Sequence, residues 1–316
     1  MKFNLGYQPA PGGFKMEHAH RFMLVGSCFS EHIGRRLQDN FFNVLSNPGG
    51  NYYSPVAIAN FLNHLYTTVS PNRSLFVQRD GRVASLEVQN LRGNTEEELL
   101  QVLTEFRRGC RLFMESTNVL VLTLGTAVAY KYKGMEWVTN NHKLPNSLFE
   151  KRRWAVDECV AVLDKAITPL LAAYPHLNIL LTVSPVKYVS DGLEENNRSK
   201  ATLLLTAEEL SKKDRCHYFP AYELVTDDLR DYRFYEGDLI HPNALAVDYV
   251  WEKFIETWMS AATLNTLPLL TKYRKALAHR PLHAIPGSQS SHLIELTARI
   301  NALLPHLVLP SLPEKP

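Results

Sequence analysis

Short apolar runs alternate along this chain with longer stretches whose apolar positions recur every three to four residues, the mark of strands alternating with helices. Arg21–Val25 reads as a first strand leading into the small-residue turn Gly26-Ser27-Cys28, and Glu31–Phe41 then reads as a helix. Phe42–Leu45 predicts a second strand, closed by Asn47-Pro48-Gly49-Gly50. Ser54 and Pro55 open a helix as N-cap and first helical residue, with Ala57, Ile58, Phe61, Leu62 and Leu65 on its apolar face. Leu75–Val77 and Val83–Val88, around Asp80-Gly81, predict a β-hairpin. Asn94 is the expected cap of a helix with Glu96, Glu97 and Glu98 in its first turn, where carboxylates favour the dipole.

Asn118–Leu124 is the clearest buried parallel strand, apolar until its C-terminal end. A helix from about Lys151 to Ala173, a strand over Asn178–Val183, a helix from Glu194 to Ser211 and a short strand near His217–Phe219 follow. His241-Pro242 is expected to open another helix through Trp258. This order predicts an α/β fold: a three-layer α/β/α sandwich whose mainly parallel sheet is covered on both faces. Residues 1–260 form the expected α/β domain. Residues 261–316 form a helical extension ending in the Pro-rich LPSLPEKP, expected to fray.

Composition changes this picture little. A net charge of +2 is too small to call for a nucleic-acid or anionic-membrane partner. The clusters Lys151-Arg152-Arg153 and Lys212-Lys213 read as solvated helix faces. The first residues lack a signal-peptide core, and the longest nearly apolar run, Val119–Tyr130, is too short to span a bilayer. The four cysteines, at 28, 110, 159 and 216, have neither zinc-knuckle nor disulfide spacing. Among twelve histidines His18 and His20 are the most closely spaced pair, and they lie in a leading loop, so a metal-dependent hydrolase has little support. The expectation is a cytoplasmic protein with no cofactor, metal, membrane or nucleic-acid partner, acting on a small molecule or glycan; its oligomeric state is left open.

In such sheets ligands bind beyond the C-terminal ends of the strands. Four polar constellations fall there: GSCFS, NPGG, Gly125-Thr126 and Ser184-Pro185-Val186. A nucleophile at the Gly26-Ser27-Cys28 turn would sit at a helix N-terminus, where the field lowers a thiol pKa and backbone N–H groups can hold an oxyanion. The plainer alternative is a buried Cys28 beside a capping Ser27. Asp238 and His241, three residues apart before Pro242, let a carboxylate orient one imidazole nitrogen and leave the other as base. Here the plainer alternative is a capping His241 and a loop Asp238.

GSCFS at 26–30, NPGG at 47–50, SPVAIAN at 54–60, TLGTA at 123–127 and HKLP at 142–145 together resemble the signature stretches of GSCFA proteins, a bacterial-type family. TVSPV at 182–186, RSKATLL at 198–204 and DYRFY at 231–235, leading to Asp238 and His241-Pro242, continue the resemblance, which runs from about Leu5 to Trp258. The family is grouped with SGNH hydrolases, which implies a flavodoxin-like core and ester or acyl-transfer chemistry. Laid on that superfamily's Gly-Asp-Ser motif, the nucleophile position is Cys28, with Ser27 as alternative. Asp238 and His241 match its Asp-x-x-His block.

The superfamily's Gly-x-Asn block is Gly125-Thr126-Ala127 here, without the Asn. Candidate replacements for its oxyanion donor are Asn141, His142, Thr126 and the backbone at Gly50. The histidine- and tryptophan-rich stretch that the resemblance implies after the hairpin reads VASLEVQN, with no histidine. Arg198 and Lys200 are candidate ligands for an anionic group, with solvated charges at a helix start as the alternative. Arg233 is a candidate substrate contact or a clamp for the Asp238–His241 loop. Two functions stay open: an SGNH-type esterase or acyltransferase, and a catalytically silent carbohydrate- or nucleotide-sugar-binding protein on the same scaffold.

Overall fold

In chain order the elements are β1 (Arg21–Gly26), α1 (Cys28–Asp39), β2 (Asn43–Ser46), α2 (Pro55–Tyr66), β3 (Phe76–Arg79), β4 (Arg82–Ser85), β5 (Arg92–Gly93) and α3 (Glu96–Met114). Then come β6 (Val119–Leu124), β7 (Val128–Tyr132), β8 (Glu136–Val138), β9 (Phe149–Arg153), α4 (Val156–Ala173), β10 (Asn178–Val183), α5 (Leu193–Ser211) and β11 (Cys216–Tyr218). The short α6 (Ala221–Glu223), α7 (Ala244–Trp258), α8 (Ala261–Ala278) and α9 (Ser291–Leu303) complete the chain. The structure, a computed structural model, describes residues 4–278 and 291–309.

The apolar runs of β1, β2, β6, β10 and β11 form one all-parallel sheet in the order β11-β10-β6-β1-β2. Alternation along each strand divides the core in two. Phe22, Leu24, Val119, Val121 and Leu180 face one layer, where α1, α7, α8 and α9 pack. Met23, Val25, Leu120, Leu122, Ile179 and Leu181 face the other, against α2, α3, α4 and α5. This is the expected three-layer α/β/α sandwich. Truncating a fully buried side chain such as Leu122 to Ala costs roughly 2–5 kcal/mol. The helices after residue 260 share the first core: Leu270, Tyr273, Leu296 and Ile300 are buried in it, and Arg274 pairs with Asp39 at 2.5 Å. The Pro-rich end falls outside the described residues beyond Leu309.

Direction reverses between β1 and β6: β1 pairs with β2 on one side and β6 on the other, so the chain leaves their ends toward opposite layers. A crevice at such a switch point is where open α/β sheets bind ligands.

Several local readings change. The expected hairpin is present as β3–β4, but β5 makes it three-stranded. Thr95, not Asn94, caps α3: its Oγ1 accepts from Glu98 N at 3.2 Å, while Glu98 reaches back to Asn94 N at 2.7 Å. Lys151-Arg152-Arg153 lies on strand β9, not a helix, because β7, β8 and β9 make a second antiparallel sheet. Its three cations pair with Asp191, Glu158 and Glu195. Helix α7 starts at Ala244 with Asn243 as cap, so His241 and Pro242 precede it in the loop.

Candidate active site

The turn after β1 is fixed by a glycine. Gly26 has φ +152°, and a Cβ there would lie 2.2 Å from Thr123 O of β6, so the two strands can approach this closely only without a side chain. Ser27 is fully buried; its N donates to Thr123 O at 3.1 Å and its Oγ accepts from Phe29 N at 3.3 Å, starting α1. Asn47, after β2, grips the same turn. Its Oδ1 accepts from Gly26 N at 2.9 Å, and its Nδ2 donates to Ser27 O at 3.2 Å and Asn51 Oδ1 at 2.7 Å. Cys28 is the first residue of α1 and is partly exposed. Burial, then Glu31, push its thiol up; its own amide, Lys200 and the Phe29 amide pull it down, and the net shift is upward.

The Asp238–His241 loop is closed by short-range bonds. Asp238 Oδ1 accepts from Ile240 N at 2.9 Å and His241 N at 3.0 Å, and Oδ2 meets His241 Nδ1 at 2.6 Å. These bonds, the backbone one to His241 foremost, hold the Asp238 carboxyl down to about 2. His241 Nε2 has no protein hydrogen-bond partner among the described residues. Lys187, after β10, ties the loop to the sheet edge: its N donates to Ile240 O at 3.2 Å and its Nζ lies 3.5 Å from the Tyr235 ring centroid. His32, one turn after Cys28 on α1, feels the charge of His241, so the loop lies over that face of the helix. No hydrogen bond joins Cys28 to His241 among the described residues.

The remaining predicted residues scatter. Gly50 N donates to Asn47 O at 2.9 Å, and Gly125 N and Thr126 N both donate to Tyr53 O, so these amides are occupied within the protein. Thr126 Oγ1 sits 3.0 Å from Ser199 Oγ. Asn141 Nδ2 donates to Asn146 Oδ1 at 3.1 Å. His142 is buried in the lobe of the two small sheets, its Nε2 2.8 Å from Thr139 Oγ1, which in turn donates to Leu86 O. Burial lowers its imidazole to about 4. Arg198 and Arg233 are exposed, near Glu195 and Asp231 respectively. Lys200 is buried instead, so it and Arg198 do not share an anion site. Of the predicted set, the fold gathers Ser27, Cys28, Gly125, Thr126 and Lys200 at the strand ends, with Asp238 and His241 on the loop above.

The profile described as the GSCFA family matches residues 21–254, nearly three quarters of the chain. The chain belongs to the GSCFA family. Solved structures similar to it include a carbohydrate esterase family 2 enzyme with a carbohydrate-binding domain from Corynascus thermopiles (Myceliophthora fergusii), 13% identical, TM-score 0.38, covering 80% of this chain and 67% of that one. A carbohydrate esterase family 3 from Talaromyces cellulolyticus is 8% identical, TM-score 0.34, covering 80% and 99%. Phospholipase A1 from Streptomyces albidoflavus NA297 is 12% identical, TM-score 0.34, covering 76% and 99%. No curated protein matches by sequence.

Residue-by-residue reading of this GSCFA protein missed the side chains that surround Cys28. Tyr53 and Tyr188 both feel its charge, and their rings meet edge-on at 5.5 Å. Burial raises the Tyr53 hydroxyl, and Asn51, which Asn47 holds, pulls it back down. Gln89, from the VASLEVQN stretch, accepts from Asn51 N at 3.1 Å. Beside the tyrosine pair lies a cavity of about 210 Å³ whose polar lining includes Asn140, Asn141, Asp191, Glu195 and Asn196. The available signal was the run Asn51-Tyr52-Tyr53 between a strand end and the Ser54 cap: loop residues at a sheet's C-terminal edge are placed for ligands.

Proposed function

We propose that this GSCFA protein is an ester hydrolase or acyltransferase with Cys28 as nucleophile. The observation that carries the reading is the Asp238–His241 pair: one carboxylate fixes both the backbone and Nδ1 of a histidine whose Nε2 is open, above the helix face that begins with Cys28. Such a pair pins the tautomer with the base lone pair on Nε2. In this mechanism His241 takes the Cys28 proton, the sulfur attacks an acyl carbonyl, and the alcohol leaves with a proton returned from His241. Water or a sugar hydroxyl, deprotonated by His241, then releases the acyl group.

The oxyanion donors in this reading are the Cys28 N–H, at the start of α1, and the Tyr53 hydroxyl, which feels the charge of Cys28. They replace the Asn absent at Ala127. The polar cavity beside Tyr53 and Tyr188 suits the hydroxyl-rich portion of an acylated carbohydrate. Its polar lining also supports the second reading, a glycan-binding protein without turnover, as does the lack of a Cys28–His241 hydrogen bond among the described residues.

Intact-mass spectrometry after incubation with a panel of activated acyl esters separates the two. A single acyl adduct on Cys28, lost in Cys28→Ala and His241→Ala, is the expected result. Glycan binding with no adduct and no turnover would favour the second reading, and turnover unchanged in Cys28→Ala would end the thiol mechanism.

A further inference from the structure

A second cavity, of about 270 Å³, lies between α2, α3 and β8, and Thr139 lines both it and the cavity beside Tyr53. Asn60, Val69 and Glu136 of its lining are exposed, so it opens to solvent. Phe61, Phe106 and Trp137 give it aromatic walls. Within the lining Arg107, which is buried, donates from Nη2 to Glu87 Oε1 at 2.9 Å and from Nη1 to Val69 O at 2.7 Å. The stretch that carries Glu87 is anchored in turn, since Thr139 donates to Leu86 O from both its N and its Oγ1.

His64 of α2 completes the polar part of the lining, and its ring makes no hydrogen bond among the described residues. Its Nδ1 is buried without a partner, and its Nε2 stands 3.9 Å from Glu87 Oε1, too far for a direct bond. A buried polar group left unsatisfied calls for a missing partner. Glu87 also has acceptor capacity to spare. A carboxylate accepts about four hydrogen bonds, and this one has Arg107, Ser85 Oγ at 3.5 Å and the Asn72 amide. Burial outweighs them and lifts its carboxyl above the ordinary range.

We propose that this cavity is a second ligand site, built for one neutral sugar ring. Its volume falls just under the roughly 300–1,000 Å³ of sites for drug-sized ligands, which suits a single ring. A pyranose has C–H faces that lie on aromatic rings and hydroxyls that both donate and accept. The three aromatic walls meet the faces. Glu87 accepts from a hydroxyl, His64 Nε2 bonds another, and the Asn60 and Asn63 amides do both. Charge argues against an ion: an anion would meet Glu87 and Glu136, and a cation would meet Arg107 and Arg111, which both act on His64. Binding here does not depend on the chemistry of Cys28.

The experiment is protection of His64 from diethyl pyrocarbonate, read by peptide mass on the full chain, with D-glucose, D-galactose and N-acetyl-D-glucosamine as probes. At about 10 mM of a fitting sugar, labelling of His64 should slow about tenfold, as a roughly millimolar site requires, while exposed His241 labels at its free rate. D-Glucuronate and D-glucosamine should protect far less. Asn63→Phe, which fills the cavity from a partly exposed position of α2, should abolish protection, and Glu87→Gln should weaken it. No protection by any sugar, equal protection by the charged ones, or protection that survives Asn63→Phe would overturn the site. Should His64 resist the reagent in the free protein, or Asn63→Phe fail to fold, saturation-transfer NMR of the sugar protons decides. Signal that falls in Glu87→Gln supports the site, and no signal or an unchanged one refutes it. A sugar that shields Cys28 from iodoacetamide but leaves His64 unshielded sits beside Tyr53, which favours the glycan reading there and sinks the second site alone. Shielding at His64 without acyl adducts on Cys28 sinks the esterase reading alone.

Discussion

The two halves of the candidate site are built in opposite ways. Asp238 and His241 lie on an exposed loop, and the three bonds of Asp238 reach residues only two or three positions away. The Cys28 turn is largely buried and is held by Asn47, about twenty residues away, and by Thr123 of a neighbouring strand. Lys200 joins it across 75 residues of sequence through Gly125. A locally closed loop can tolerate changes elsewhere in the fold, whereas a turn assembled from remote segments depends on all of them. The base half should therefore fail one function at a time, and the nucleophile half should lose activity and stability together wherever the change touches its supports.

Cys28→Ala tests the most severe activity loss. Removing a nucleophile should lower turnover by about 10⁴-fold or more with unfolding free energy little changed, checked by ester kinetics alongside urea unfolding. Next, His241→Ala should cost on the order of 10³-fold, and Asp238→Asn somewhat less, since the histidine would lose its tautomer restraint but keep its place. Equal thermal stability in both variants is required if the loop is as self-contained as its bonds imply. Asn47→Ala should behave differently. It removes three hydrogen bonds and leaves the Gly26 N–H without its acceptor, so about 3 kcal/mol of stability should go together with activity. A stable but inactive Asn47→Ala would break the contrast.

Two buried histidines, His142 of the small-sheet lobe and His64 of α2, supply a third test. His142 and His64 are held neutral by burial, each to about 4 from an ordinary 6.5. The unfolded chain then binds more protons, so stability is complete above about pH 6.5 and falls as pH drops toward 4, by up to ~3 kcal/mol per histidine. His142→Asn, which tolerates the φ of +50° there, should flatten part of that slope in urea unfolding across this range. Smallest of all, Arg198→Ala and Arg233→Ala should change stability by no more than about 0.5 kcal/mol and turnover by less than about twofold. A large loss of turnover in either would bring an exposed arginine into the site.

What could be read from sequence follows the same division. Asp238–His241 was visible because its partners are neighbours in the chain, and the strand-to-helix turn because the apolar run of β1 ends abruptly in Gly26-Ser27-Cys28 before a helical pattern. Asn47, Tyr53 and the burial of Lys200 were not, because each depends on which strand ends the topology brings together. The second sheet was missed for another reason. In Phe149–Arg153 only Phe149 escapes full exposure, so the strand carries no hydrophobic alternation, and its run of cations mimics a solvated helix. Thr95 and Asn94 differ by one position, within the ordinary uncertainty of a helix end.

The contact between Gly26 and Thr123 has a consequence for protein engineering. In a saturation library across this turn, position 26 should admit no other residue, since even a methyl group would meet backbone oxygen. Position 28 has no such constraint, because its side chain projects partly toward solvent from a helix start already capped by Ser27. The scaffold therefore fixes where the side chain of residue 28 stands while leaving open which side chain it is.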